Sequence, residues 1–302
     1  MDVVWALLLA TALVIVVTYS RLPPQDLYNV SRGGLAGGLG RALVFLNYPV
    51  ALAAISIACL AAEGIGTRNA WFAALSASGL CAITAVPGVV DQHDLDAKLV
   101  NVLPALGVAI SFVLSLLAPW ERLRRLPLDP VRVAIGVVVW LVALVWIAAT
   151  LGFYFPGDLL LGEEIRRGGD GRLAPAVHLG EHEGLDATLI ITAALVLTRY
   201  RPPFAVMYVL CLGLVYGLFV EWRDFWFEQV NKRDWMTWKP PSVLTPRVSL
   251  GWGLIVVLAL LVVLAVRRFE GPRQPAGDPR RTAPTPALGS PTSGSTTGGP
   301  SP

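Results

Sequence analysis

The sequence has 302 residues, of which 55% are hydrophobic and 15% charged, and its formal net charge at pH 7 is +3. Soluble domains carry about 25% charged residues, so this composition excludes an ordinary soluble protein and predicts contact with membrane lipid. We also expect no nucleic acid among its partners.

The charge-free stretches of the chain predict its membrane spans. Seven of them approach the roughly 20 residues that a helix needs to cross hydrocarbon: residues 3–20, 42–62, 69–90, 99–120, 133–157, 202–220 and 248–266. The first is interpreted as a span because Asp2 precedes it, where a secretory signal would be basic. An eighth stretch, residues 187–198, is shorter. The sequence therefore predicts an all-α polytopic integral membrane protein with about eight transmembrane helices.

Two segments outside the spans differ in composition. Residues 32–40 are rich in glycine, which predicts a flexible linker or, alternatively, a backbone nest for a phosphate group. Residues 271–302 are dense in Pro, Gly, Ser and Thr and have few apolar side chains to bury. The predicted domains are thus a transmembrane domain, residues 1–270, and a disordered tail, residues 271–302.

Basic residues predict the orientation in the membrane. Arg122, Arg124 and Arg125 occupy a short turn on the side that also carries both termini, and short cytoplasmic loops are enriched in arginine and lysine. Both termini are therefore predicted to be cytoplasmic, in a plasma membrane. Asp2 before the first span and Arg21 after it favour the opposite orientation. Arginine greatly outnumbers lysine, a bias that we expect of a GC-rich bacterial genome.

The eighth span is too short to cross the membrane as it stands. Its charge-free residues would cover about 18 Å of helix, whereas the hydrocarbon core is about 30 Å thick. Since residues 200–203 close the downstream end, the helix is predicted to extend upstream and to begin at Pro175. Ionisable side chains then lie within a spanning segment, where they are costly and typical of functional sites.

These upstream residues include metal-ligating groups on one helical face. His178, His182 and Asp186 are spaced four residues apart, which places their side chains along one stripe. Two histidines at this spacing are a common zinc-binding arrangement. The run HLGEH, from His178 to His182, resembles the signature of the inverted zinc peptidases, and the resemblance implies that Glu181 is a general base. The alternative is a polar cluster whose members pair with one another and cap the helix.

A second group of candidate ligands is predicted on the same side of the membrane. Asp91, His93 and Asp94 lie in the connection between the third and fourth spans. Carboxylates and an imidazole suit a divalent metal such as Zn²⁺, so these residues are candidates to complete the site of the histidine pair. Alternatively, Asp94 or Asp96 caps the fourth span.

Residues 222–236 have the pattern of an interfacial amphipathic helix. Trp222, Phe225, Trp226 and Val230 recur at helical spacing, with charged residues between them. Such a helix is a candidate lid that admits a lipid-borne substrate. The alternative is an aromatic belt at the membrane surface.

The patterns favour a metal-dependent, membrane-embedded hydrolase that acts on a lipid-borne or amphipathic substrate. The candidate metal ligands are His178, His182, Asp186, His93, Asp91 and Asp94, and Glu181 or Glu183 is the candidate acceptor of a proton from water. A non-catalytic scaffold that binds a partner is the alternative. A metal-ion or proton-coupled transporter is less favoured, because the other seven spans have no charged residue at mid-depth. The sequence predicts neither the substrate nor the oligomeric state.

Overall fold

The structure is a computed structural model. It describes residues 1–24, 31–90, 96–123, 125–150, 165–167, 173–175, 183–231, 233–244 and 246–269. The chain divides into a unit of Met1–Leu264 and a second unit of Ala265–Pro302, of which residues 265–269 are described, at the end of a helix. The predicted disordered tail lies outside the described residues.

Helices make up nearly all of the described chain. They are α1 (Asp2–Arg21), α2 (Gly34–Phe45), α3 (Ala51–Ile65), α4 (Arg68–Ala82), α5 (Val102–Leu117), α6 (Pro130–Thr150), α7 (Glu183–Leu197), α8 (Phe204–Trp226) and α9 (Leu250–Phe269). Two short strands, β1 (Ile165–Arg167) and β2 (Leu173–Pro175), pair antiparallel. The all-α prediction is confirmed, with this small hairpin as an addition.

Six helices of the described chain are long and apolar enough to cross a membrane, fewer than the eight predicted. The six correspond to α1, the joined helices α2 and α3, α5, α6, α8 and α9. The two others, α4 and α7, have 15 residues each, which is about 22 Å of helix and less than the hydrocarbon thickness. In α4 the cause is local, because a 3-10 turn, Ile83–Ala85, ends the helix before Pro87 and the left-handed Gly88.

The glycine-rich segment is helical, so the prediction of a flexible linker there was wrong. A π-helical turn, Leu46–Val50, contains Pro49 and joins α2 to α3 without a break. Gly38 serves packing, because a Cβ added to it would lie 2.5 Å from the carbonyl oxygen of Val16 in α1. Small residues let helices approach closely in membranes, and this contact outweighs the low helix propensity of glycine.

The predicted interfacial helix is also corrected. Residues 222–226 belong to α8, and a π-helical turn, Phe227–Asn231, continues it. The continuous helix of 28 residues is about 42 Å long, comparable to a bilayer with its head groups. At its far end the rings of Trp222, Trp226 and Trp238 lie 5.6 to 6.0 Å apart. This arrangement fits the aromatic-belt alternative.

The helices pack around α3, which contacts α4, α5, α7 and α8. Its residues Ala54, Ile57 and Leu60 are fully buried. Outer helices such as α6 and α9 expose valine and leucine side chains, including Val137 and Val257. Exposed apolar surface of this kind on long apolar helices faces lipid.

The helices α6, α7 and α8 have two chemically different ends. At the first, which we call the basic end, the N–H of Leu126 donates to the carbonyl oxygen of Arg199 at 2.8 Å. The Met1 amino group lies near enough to Arg125 and Arg199 to interact with their charges. The N-terminus and these turns were predicted to share one side of the membrane, and in the structure they lie near one another. The opposite end, where α6 ends, α7 begins and α8 ends, is the acidic end.

Candidate functional site

Buried carboxylates collect at the acidic end. Asp186 and Glu221 are each 4% exposed, and Asp224 and Glu228 are 9% and 8% exposed. Together with Glu183, the first residue of α7, they form what we call the acidic cluster. Buried ionisable groups are costly in any protein and more so in a membrane. Their collection in one place therefore marks the strongest candidate site in the described chain.

Close packing of α7 against α8 brings the cluster together. A Cβ added to Gly217 of α8 would lie 2.7 Å from Cγ1 of Ile191 and 3.2 Å from the carbonyl oxygen of Ala187. About two helical turns further along α8, Oδ2 of Asp224 accepts a hydrogen bond of 2.8 Å from the N–H of Gly184. The helices are thus antiparallel, and Asp224 caps the start of α7 from the neighbouring helix.

The cluster contains one described ion pair. The guanidinium of Arg223 donates to a carboxylate oxygen of Glu183, and both side chains are about one-fifth exposed. This charge-assisted bond links the first residue of α7 to the last turns of α8. The Glu183 carboxylate is therefore already engaged by a cation.

A third helix, α6, contributes Trp146 to the acidic cluster that α7 and α8 form. Its indole N–H donates to Oε2 of Glu228 at 2.9 Å. The ring lies against Gly184, where an added Cβ would be 2.4 Å from the six-membered ring. A side chain at position 184 would displace the indole, so glycine is needed there for this contact.

One carboxylate of the cluster lacks a local partner. Oε2 of Glu221 is buried, and no described residue forms a hydrogen bond with it. Glu221 lies on α8 between Gly217 and Asp224, and is therefore level with the first turn of α7. A buried oxygen without a partner is costly and indicates a missing ligand or proton.

Two tyrosines lie next to the acidic cluster. The hydroxyls of Tyr48 and Tyr216 are 2.6 Å apart, and the Tyr216 hydroxyl also donates to the carbonyl oxygen of Leu244 at 3.3 Å. Glu183 and Asp186 are near enough to interact electrostatically with both tyrosines. The polar surface of the site thus continues from the carboxylates to this hydroxyl pair.

The structure describes only some of the predicted site residues. Glu183 and Asp186 lie in the acidic cluster, whereas Glu181, His178 and His182, together with Asp91, His93 and Asp94, lie outside the described residues. Pro175 was predicted to begin the short helix, and that prediction was wrong, because Pro175 ends β2 opposite Ile165. Within the described chain the helix begins at Glu183.

The predicted cap of the fourth span takes a different form. The carboxylate of Asp96 accepts hydrogen bonds from the backbone N–H of Ser31, at 3.2 Å, and from its hydroxyl. At the start of the span, Oδ1 of Asn101 accepts from the N–H of Lys98 at 2.6 Å. Asp96 thus binds the segment that precedes α2.

The described residues do not by themselves complete a metal site. Among them, no group of three or more His, Cys, Asp or Glu side chains is placed to hold a metal ion. The donors that the acidic cluster offers are carboxylates, which suit a hard divalent cation. Further ligands would have to come from residues outside the described part.

Three residues of the cluster were not predicted as site residues. Glu221, Asp224 and Glu228 are spaced by three and four residues, which places them on one face of α8. The aromatic side chains between them predicted a surface helix instead. The sequence signal that could have identified these three residues is the acidic stripe next to a long apolar stretch.

In comparisons with known protein families, curated proteins and solved structures, nothing matches this chain. Its class is defined by the helices themselves. Six long apolar helices and their lipid-facing side chains make it a multi-pass membrane protein.

Proposed function

We propose that the protein is a metal-dependent hydrolase that acts on lipid-borne or amphipathic substrates at its acidic end. The observation that carries the proposal is the burial of Asp186, Glu221, Asp224 and Glu228 within two packed helices of a membrane protein. Neighbouring buried carboxylates repel one another, and a divalent cation offsets that repulsion.

The proposed metal ligands come from two sources. Asp186 is the described candidate, and the buried, unpartnered oxygen of Glu221 on α8 is proposed as a second carboxylate donor. His178 and His182 precede α7 by a few residues, and they are proposed as the nitrogen ligands. Asp91, His93 and Asp94 remain candidates for the remaining positions.

The chemistry of hydrolysis assigns separate roles to metal and protein. A divalent metal such as Zn²⁺ would supply Lewis acidity, which makes water a better nucleophile near neutral pH. A glutamate would accept the proton that the attacking water loses. Glu183 is engaged by Arg223, so Glu181 is the preferred base.

Metal content and hydrolysis, measured together, test the proposal. The detergent-purified protein is incubated with Zn²⁺ and dialysed, and the bound metal is measured by elemental analysis. We expect near-stoichiometric zinc in the parent and at least tenfold less in His178→Ala, His182→Ala and Asp186→Asn. Fluorogenic amphipathic esters and amides then report activity, and Glu181→Gln should keep the metal and lose hydrolysis.

Asp129→Asn is the matched control, because Asp129 is an acidic residue at the basic end, beside Arg132. It should keep both zinc and activity. A parent protein without metal and without hydrolysis would refute the proposal and favour a non-catalytic scaffold. Metal bound with no hydrolysis of any ester or amide would refute the hydrolase assignment while leaving the metal site.

A further inference from the structure

An apolar pocket of about 260 Å³ lies next to the acidic cluster. Its walls come from α3, α7, α8 and the first turn of α9, and the segment around Leu244 closes one side. Leu52, Ile190 and Leu212 are typical of the lining, which is almost entirely hydrocarbon. Three of the six long apolar helices, the joined α2 and α3, α8 and α9, thus share this cavity with α7 and the turn after α4.

The pocket lies between helices that are long and apolar enough to span the membrane. Leu52, Val209 and Leu212 are half-buried, although they lie within spanning helices. The exposed part of a half-buried residue in the pocket wall faces the pocket itself or the surrounding bilayer. The pocket therefore lies among helices whose outer surface is surrounded by lipid chains rather than by bulk water.

One end of the pocket is polar. Tyr48 and Tyr216 both line it, and their hydroxyls form the hydrogen-bonded pair next to Glu183 and Asp186. On α7, Ile190 lies one helical turn from Asp186, so the apolar wall and the acidic cluster follow each other along a single helix face. The site as a whole has an apolar compartment and a polar end.

The volume limits what the pocket holds. A cavity of about 150 Å³ accommodates benzene, and pockets for drug-sized ligands begin at about 300 Å³. A space of about 260 Å³ therefore suits a slender group rather than a bulky ring system. Water is disfavoured, because it needs two to four polar partners.

We propose that this pocket binds one hydrocarbon chain of an amphipathic membrane lipid, whose polar end lies at Tyr48 and Tyr216 beside the acidic cluster. The chain-binding site itself does not depend on the proposed hydrolase. If the hydrolase assignment holds, the inference identifies its substrate class as a chain-bearing lipid, and that extension rests on the proposed function.

Photolabelling tests the pocket directly. The protein is reconstituted in phosphatidylcholine vesicles that contain a phosphatidylcholine with a diazirine in mid-chain, and the labelled peptides are mapped after irradiation. We expect labelling to concentrate on residues 209–216 and around Leu52, well above that of lipid-facing α6. Labelling spread evenly over the lipid-facing helices would overturn the proposal, whatever the variants show.

A glycine pair provides the matched variants. A Cβ added to Gly213, in the pocket wall, would meet Ile190 at 3.9 Å, and one added to Gly136, in α6, would meet Leu195 at 3.8 Å. Gly213→Leu should fill the pocket and reduce its labelling at least fivefold, whereas Gly136→Leu should leave it within twofold. Ala85→Leu fills the pocket from another wall, and unchanged labelling in both filling variants would contradict the proposal.

The outcome is separable from that of the proposed function. Metal content reports on the acidic cluster, and chain labelling reports on the pocket. A labelled pocket in a metal-free protein would support the chain site and reject the hydrolase. Bound metal in a protein whose pocket is not labelled would support the proposed metal site and reject the chain-binding site.

Discussion

Trp146 and Glu228 are 82 residues apart in the chain, and a hydrogen bond of 2.9 Å between the indole N–H and a carboxylate oxygen joins them. Both side chains are buried, and the indole also covers Gly184. This bond therefore ties the end of α6 to the end of α8 across the first turn of α7. The arrangement of the acidic cluster depends on it.

Replacing Trp146 by phenylalanine, whose ring has no N–H, tests how strongly the acidic cluster depends on this hydrogen bond. We expect Trp146→Phe to lower the free energy of unfolding by about 1–3 kcal/mol, because the buried carboxylate of Glu228 loses this hydrogen bond. Trp140→Phe is the control, since Trp140 donates to a neutral hydroxyl, Oγ1 of Thr192, at 3.0 Å. Thermal unfolding in detergent measures both, and equal losses would show that the charge of Glu228 adds nothing.

A methyl group at position 184 should displace the same indole. Gly184→Ala places a Cβ about where the Trp146 ring lies, and such overpacking costs about 1–3 kcal/mol. Gly136→Ala, whose Cβ would meet Leu195 at an ordinary 3.8 Å, should be neutral or stabilising because alanine favours the helix. A Gly184→Ala variant that unfolds at the temperature of the parent or above it would contradict the packing described.

At the basic end, Asp129 should make stability depend on acid pH. Burial acts to raise the pKa of Asp129, but hydrogen bonds from the backbone and side chain of Arg132, and its charge, outweigh burial and hold this pKa below its usual 3.8. A carboxyl with a lowered folded pKa stabilises the protein above its unfolded pKa, and that contribution disappears as the pH falls through the folded pKa.

The stability difference between the parent and Asp129→Asn should therefore be constant above about pH 5 and shrink below about pH 4. Unfolding temperatures between pH 2.5 and 7 measure it. Glu121→Gln, at an exposed acid of the same end, is the control and should show a smaller change with pH. A difference that is the same at pH 3 and pH 7 would contradict the role assigned to Arg132.

Orientation in the membrane is tested by engineered cysteines. All three native cysteines, Cys59, Cys81 and Cys211, are buried, so an impermeant thiol reagent should label them little. If the termini are cytoplasmic, Gly169→Cys should be labelled in intact cells and Glu121→Cys only after lysis. The opposite pattern would place the acidic end in the cytoplasm.

The sequence predicts the long spans well and their ends less well. Residues 99–120 and 248–266 were predicted as spans, and the structure has α5 at Val102–Leu117 and α9 at Leu250–Phe269, because apolar length decides insertion. The glycines of residues 32–40 were interpreted from backbone freedom alone. Their helical state depends on contact with α1, which a single sequence does not show.

The candidate site was predicted in part for the same reason. Asp186 and Glu183 were identified from the length of the short span, which is a local property. Glu221 and Asp224 belong to the same cluster only because Gly217 allows α8 to approach α7. Such pairing between helices is tertiary, so the acids of α8 were assigned to a surface helix instead.

The uninterrupted helix from Gly34 to Ile65 has a mechanical consequence. Its 32 residues extend about 48 Å, well beyond the roughly 30 Å of hydrocarbon in an average bilayer. Its charge-free part, residues 42–62, is about 31 Å long and matches the hydrocarbon, so the flanking turns with Arg41 and Glu63 reach the membrane interface, or the helix tilts. Tyr48 lies midway along this helix and Tyr216 on α8, so a change in the tilt of the helix would move the two hydroxyls relative to each other at the polar end of the pocket.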